Sequence, residues 1–109
     1  MAISLPQIIQ SYIDASNAHD VKSILACFAD DAVIRDENTT RRGKIDIEHW
    51  AGETIDKYKF HLKLIDAEQR ASDIVVSVEV SGIFAGSPVT LDYHFVLAKE
   101  KILSLFIDS

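Results

Sequence analysis

Apolar side chains recur three and four residues apart through the first half of the chain and two apart through the second. That change of period predicts helices followed by strands. Leu5, Ile8, Ile9, Tyr12 and Ile13 fall on one helical face. Ser4 and Gln7 have capping-box spacing and Pro6 suits a first turn, so the first helix is expected to start near Ser4. Asn17-Ala18-His19 interrupts the pattern. Asp20 can then cap a second helix carrying Val21, Ile24, Leu25 and Phe28 on one face. Asp30-Asp31 is expected to end that helix, with Ala32 to Asp36 a short strand. Residues 37 to 43, Glu-Asn-Thr-Thr-Arg-Arg-Gly, read as a polar loop. A third helix is expected from about Lys44 to Tyr58, with Ile47, Trp50, Ala51, Thr54 and Tyr58 as its stripe and Gly52 weakening the middle turn.

Beyond residue 59 the alternation is strict. Phe60, Leu62 and Leu64 alternate with His61 and Lys63. Val76, Val78, Val80 and Phe84 form a second set, and Val89, Leu91, Tyr93, Phe95 and Leu97 a third. Leu103, Leu105 and Ile107 alternate with Ser104 and Phe106. The short polar connections between these runs suit hairpins, so they read as an antiparallel meander. Helices first and a meander last is an α+β arrangement, one curved antiparallel sheet with three helices on one face, in a single domain spanning residues 1–109.

Composition narrows the partners. The formal charge is −6, from 11 basic and 17 acidic residues, which argues against nucleic acid because phosphate binding needs clustered Lys and Arg. One cysteine, Cys27, excludes an intrachain disulfide and reads as a small core residue. Met-Ala-Ile-Ser-Leu-Pro lacks the features of a signal peptide, and no apolar run reaches membrane-span length, so a soluble cytoplasmic protein is expected. His19, His49, His61 and His94 show no metal-ligand spacing with one another, and no cofactor or metal is expected.

Asp36 is the first residue to suggest chemistry. Alternation puts it on the same side of its strand as Ile34 and Ala32. A carboxylate among apolar side chains costs free energy unless something compensates. Either a nearby arginine pairs with it (Arg35, Arg41 or Arg42), or desolvation raises its pKa into the range of a useful base.

The run Tyr12…Asn17…Asp20…Phe28-Ala29-Asp30-Asp31-Ala32…Asp36, followed by Arg42-Gly43 and Trp50, resembles the nuclear transport factor 2-like superfamily, in particular its SnoaL-like and ketosteroid isomerase-like branches. The resemblance implies a cone in which the curved sheet wraps a pocket closed by helices, and homodimers formed through the sheet's outer face. It implies that Asp36 corresponds to the general base of ketosteroid isomerases and Tyr12 to their oxyanion-binding tyrosine. Their second oxyanion donor is a carboxylic acid preceding a His-Phe pair. Here that pair is His94-Phe95 and the preceding residue is Tyr93, so the family pattern is broken at this position. Asp92 alternates onto the polar face with His94 and does not replace it. Trp50, Phe28, Ile34 and Phe95 are the expected ligand-lining residues, and a small hydrophobic molecule bearing a carbonyl or hydroxyl the expected ligand. The superfamily holds isomerases, dehydratases, cyclases and adaptors. Three functions therefore stay open: an isomerase- or cyclase-like enzyme, a non-catalytic binding module, and a dimeric adaptor.

Overall fold

Pro6, at φ −56° and ψ 141°, stands at the N-cap of the first helix, α1 (Gln7–Asn17). Its fixed φ and missing N–H suit a helix entry. The computed structural model describes residues 5–108, and the expected capping box at Ser4 lies outside them. Ala18, His19 and Asp20 separate α1 from α2 (Val21–Ala26), whose N-cap is Asp20; its carboxylate accepts from the Ser23 N–H at 3.2 Å, as its position suggested. The remaining elements are β1 (Phe28–Asp36), β2 (Thr39–Arg42), α3 (Gly43–Tyr58), β3 (His61–Gln69), β4 (Ile74–Ser81), β5 (Val89–Ala98) and β6 (Lys101–Asp108).

The strands form one six-stranded sheet in the order β2-β1-β6-β5-β4-β3. It is curved, unclosed and mixed rather than wholly antiparallel, because β1 runs parallel to β6. The meander from β3 to β6 ends on an open edge, and β1, contributed by the N-terminal half, fills it. The segment expected to be a polar loop is half strand. Glu37 and Asn38, both at positive φ (52° and 61°), make a two-residue turn that pairs Asp36 with Thr39. The resulting edge strand is largely exposed, so no apolar alternation announced it.

Three further expectations shift by a strand residue or more. Phe28 opens β1 instead of ending the second helix, and Asp30-Asp31 lies within the strand, where the pairing with β6 slips between Phe28 and Val33. In β6 a bulge pairs Val96 with Ser104 but Leu97 with Ile102, so Ile102 is fully buried and Leu103 only half-buried. Strand β4 ends at Ser81, leaving Phe84 in the connection that follows. That connection needs Gly82: a Cβ there would lie 2.4 Å from the Tyr58 carbonyl oxygen, which accepts the Ile83 N–H at 2.7 Å.

The core gathers where α1, α2 and α3 meet the inner face of the sheet. Tyr12 packs edge-on against Phe28 (5.8 Å between centroids) and Phe95 (5.6 Å), over Ile9, Ile24, Ile34 and Leu105. At the far side of the sheet, Asn17 ties the end of α1 to β3. Its Nδ2 donates to the Leu62 carbonyl at 2.9 Å and its Oδ1 accepts the Leu62 N–H at 2.7 Å. One side chain thus satisfies both backbone groups of an edge-strand residue. Asn17→Ala leaves both without a partner in a partly buried place, and is expected to lower unfolding free energy by about 2–3 kcal/mol. Urea denaturation checks this against Gln7→Ala, which loses only an exposed contact to Ser11; a clamp that matters predicts a clearly larger loss for Asn17.

Candidate active site

The curvature of the sheet leaves a cavity of about 370 Å³ between its inner face and helices α1 and α3. Tyr12 reaches it from α1, Trp50, Thr54 and Tyr58 from α3, Asp36 from the end of β1 and Tyr93 from β5. Sheet register explains why the last two meet. Arg35 pairs with Phe106 and Tyr93 with Ile107, so Asp36, Ile107 and Tyr93 stand in one row across three neighbouring strands. At about 4.8 Å between strands, the row puts the Asp36 and Tyr93 backbones about 10 Å apart.

Asp36 is partly buried, and the Trp50 indole Nε1–H donates to its Oδ2 at 3.1 Å. Burial pushes the carboxyl pKa above its ordinary value; the indole hydrogen bond pulls the other way, the neighbouring Glu37 charge adds to the rise, and Arg41 opposes it. The arginine pairing that sequence left open is not made among the described residues. Arg41 spends its Nη2 on Glu53 at 2.8 Å, and Arg35 and Arg42 are exposed. Asp36 is therefore held by a neutral donor, which positions the carboxylate without neutralising it.

Tyr12 and Tyr93 are both buried, with ring centroids 6.5 Å apart and planes tilted by 56°. Burial is the main reason the Tyr12 phenol is pushed well above its ordinary pKa; the neighbouring Tyr93 phenol and the Asp36 carboxylate add to the rise, and the Ser16 hydroxyl opposes it. Tyr93 is raised by burial first and by Asp36 second. Both rings therefore present neutral O–H donors at physiological pH. The site thus combines one desolvated carboxylate with two protonated phenols, all bordering one cavity.

Of the expected lining residues, Trp50 does face the cavity. Phe28, Ile34 and Phe95 do not: they are 1%, 0% and 1% exposed and belong to the core beneath Tyr12. Alternation put Ile34 and Phe95 on the inner face correctly, and Phe28, expected on the second helix, joins them from the start of β1, but that face is packed by helices at one end and open only at the other. The walls instead include Phe60, Leu62, Val80, Phe84, Leu91 and Ile107. All of these were on the apolar side of their expected strands by sequence, although Phe84 proves to lie beyond the end of β4. A smaller recess of about 230 Å³ shares Asp36, Glu37, Trp50, Thr54 and Tyr58 with the cavity and adds Thr39, Arg41, Glu53 and Lys57. The Tyr58 hydroxyl donates to Glu37, joining the β1–β2 turn to the end of α3.

On the outer face, Asp92, His94 and Asp108 bring one ligand-type atom each within 4.8 Å of one another. His94 Nε2 lies 3.0 Å from Asp108 Oδ1, and Ser77 donates to Asp92 at 3.2 Å. Cross-strand pairing of Asp92 with Asp108 assembles this group, which no spacing along the chain could reveal.

A SnoaL-like domain profile matches residues 9–101, and the chain belongs to that family. A proposed polyketide cyclase from Sinorhizobium meliloti superposes with a TM-score of 0.92 at 32% identity, covering 95% of each chain. A protein of ketosteroid isomerase-like fold from Catenulispora acidiphila, crystallised with trimethylamine, gives a TM-score of 0.85 at 18% identity over 97% of this chain and 87% of its own. A cystatin-fold protein from Novosphingobium aromaticivorans gives 0.80 at 19% identity over 99% and 100%. No curated protein matches by sequence. Among the described residues no helix is long and apolar enough to cross a membrane.

Two measurements follow from the Asp36 environment. Trp50→Phe keeps a ring but removes the indole donor, so the Asp36 pKa is expected to rise further in a carboxyl ¹³C NMR titration. The second concerns stability. A folded-state pKa above the unfolded one means the native state keeps the proton to higher pH. Stability contributed by Asp36 is then full below the unfolded pKa of about 4 and is lost as pH rises through the folded value. Asp36→Asn lacks that titration, so in urea unfolding it is expected to gain on the wild type between about pH 4 and neutrality. A constant offset across that range would contradict the desolvated carboxylate.

Proposed function

We propose that the cavity takes a small hydrophobic ketone or enone and that Asp36 transfers a proton at the carbon alpha to its carbonyl. The carboxylate removes the proton, the electron pair left on carbon moves into the carbonyl, and the oxygen becomes an oxyanion. The Tyr12 and Tyr93 hydroxyls donate hydrogen bonds to that oxygen. Asp36 then delivers the proton to the gamma carbon of the dienolate formed from an unsaturated ketone, the oxyanion's electron pair re-forms the carbonyl and the double bond moves, completing an isomerisation. Carrying the proposal is one observation: a desolvated, unpaired carboxylate shares a cavity with two phenols that stay protonated. The roles of Asp36 and Tyr12 follow the ketosteroid isomerase resemblance. Tyr93 takes a role that the family gives to a carboxylic acid.

The relatives support a small-molecule site of this kind. One neighbour holds trimethylamine, and the relative from Sinorhizobium meliloti favours a second reading, ring closure in a polyketide. That chemistry begins with the same proton removal, followed by attack of the resulting carbanion on a second carbonyl, so it asks the same of Asp36. We further propose a single domain over residues 1–109 that works in the cytoplasm as a homodimer through the outer sheet face, where Phe106 is 42% exposed.

The test is isomerisation of unsaturated ketosteroids and smaller enones, with alpha-proton exchange into D₂O as a more permissive readout. Asp36→Asn is expected to lose at least about 100-fold in rate, as for removal of a general base. Tyr12→Phe and Tyr93→Phe are each expected to lower kcat about 10- to 100-fold while leaving the folded state intact by circular dichroism. Equal activity in wild type and Asp36→Asn would remove Asp36 from the base role.

A further inference from the structure

The charges and rings lining the cavity say more about its occupant than a neutral ketone requires. Of the lining residues, Asp36 and Glu37 are acidic, Asp108 borders the cavity with its carboxylate turned to His94 on the outer face, and no Lys, Arg or His is among them. Six are aromatic: Tyr12, Trp50, Tyr58, Phe60, Phe84 and Tyr93. From these residues we infer that the cavity selects small organic cations, molecules whose positive charge is a methylated, tertiary or quaternary ammonium group.

The carboxylates differ in what they have left to offer. Glu37 accepts from the Tyr58 hydroxyl, and Asp108 lies against His94 on the outer face. Among the described side chains only the neutral Trp50 indole bonds to Asp36, on Oδ2, with the Glu37 backbone N–H as a second neutral donor. The one cation that acts on it, Arg41, stands on the side of the polar recess and is itself paired with Glu53. A negative charge held out of bulk water beside a cavity, with no cation bonded to it, attracts a cation into that cavity.

The walls determine which kind. A primary ammonium needs several hydrogen-bond acceptors to replace its water, whereas Leu62, Val80 and Leu91 offer none from their side chains. A methylated ammonium spreads its charge over carbon-bound hydrogens, gives up little hydration and is attracted by ring faces. The cavity supplies the two features such a group uses, aromatic surface and one unneutralised carboxylate.

The inference rests on the cavity being a small-molecule site but does not require proton transfer. Its test therefore uses a ligand pair instead of turnover. Choline and 3,3-dimethylbutan-1-ol have nearly the same shape, one with a quaternary nitrogen where the other has carbon. In isothermal titration calorimetry at pH 7 the wild type is expected to bind choline at least about tenfold more tightly. Asp36→Asn is expected to abolish most of that preference while leaving the neutral alcohol's affinity unchanged, with folding checked by thermal melts. Equal binding of the two ligands by wild type would overturn the inference and leave the ketone reading standing, to be judged by the enone assay. A preference that survives Asp36→Asn undiminished would overturn the carboxylate's part in it, and failure of both ligands to bind would overturn it outright.

Discussion

Everything at the candidate site depends on one ladder, the parallel pairing of β1 with β6. Its partners are Phe28 with Ile102 and Val33, Ile34 and Arg35 with Ser104, Leu105 and Phe106. The two strands come from opposite ends of the chain, so closing them costs loop entropy that local helices and hairpins do not. What the closure returns is burial: Ala32, Ile34, Ile102 and Leu105 are all at most 1% exposed. The same pairing sets Asp36 one residue beyond its end, level with Ile107 and next but one to Tyr93. Core packing at one end of the ladder therefore fixes the chemistry at the other. Without it, the carboxylate and the phenol would belong to separate parts of the molecule.

That end of the sheet is left unfilled, at a cost. Apolar surface faces a cavity instead of protein, and a carboxylate is kept in it with two neutral donors, the Trp50 indole and the Glu37 backbone N–H, and no bonded cation. Arg41 lies close enough to influence Asp36 but is turned to Glu53, and the β1–β2 turn is held at positive φ by Glu37 and Asn38, beside the Glu37–Tyr58 contact. Each arrangement has a cheaper structural alternative, such as a filled core or a direct ion pair. Retained together, they describe a site shaped for a ligand. The ketone and cation readings both draw on this one residue. A cation would use the Asp36 charge that a base uses for its proton, so an ammonium ligand would also compete with proton transfer.

Much of this was legible along the chain. The change from helical to strand period located the helices and the meander, and the residues from Tyr12 to Trp50 carried the resemblance to the family. Alternation put Asp36, Leu62 and Tyr93 on the inner face. These readings succeed because helix and strand periods are local properties that burial on one side imprints on sequence. Four other readings failed for tertiary reasons. Strand β2 carries no apolar pattern because it is an exposed edge. Phe28 and Leu103 were misplaced by irregular register, which follows from a partner strand and not from a residue's own neighbours. The parallel ladder joins segments about 70 residues apart, so nothing local could have announced it. Phe28, Ile34 and Phe95 were read as ligand wall and prove to be core.

By itself, then, the sequence determined which residues face inward, which family the chain resembles and which carboxylate is out of place among apolar neighbours. Only the tertiary structure decided where the inner face is packed and where it is open. It also decided that Trp50 and no arginine holds Asp36, and that six rings line the same space as that carboxylate. The physical reason is that periodicity encodes the direction of a side chain relative to its own strand or helix. Whether that direction ends in a core or in a cavity depends on the curvature of the sheet and on which distant element comes to lie across it.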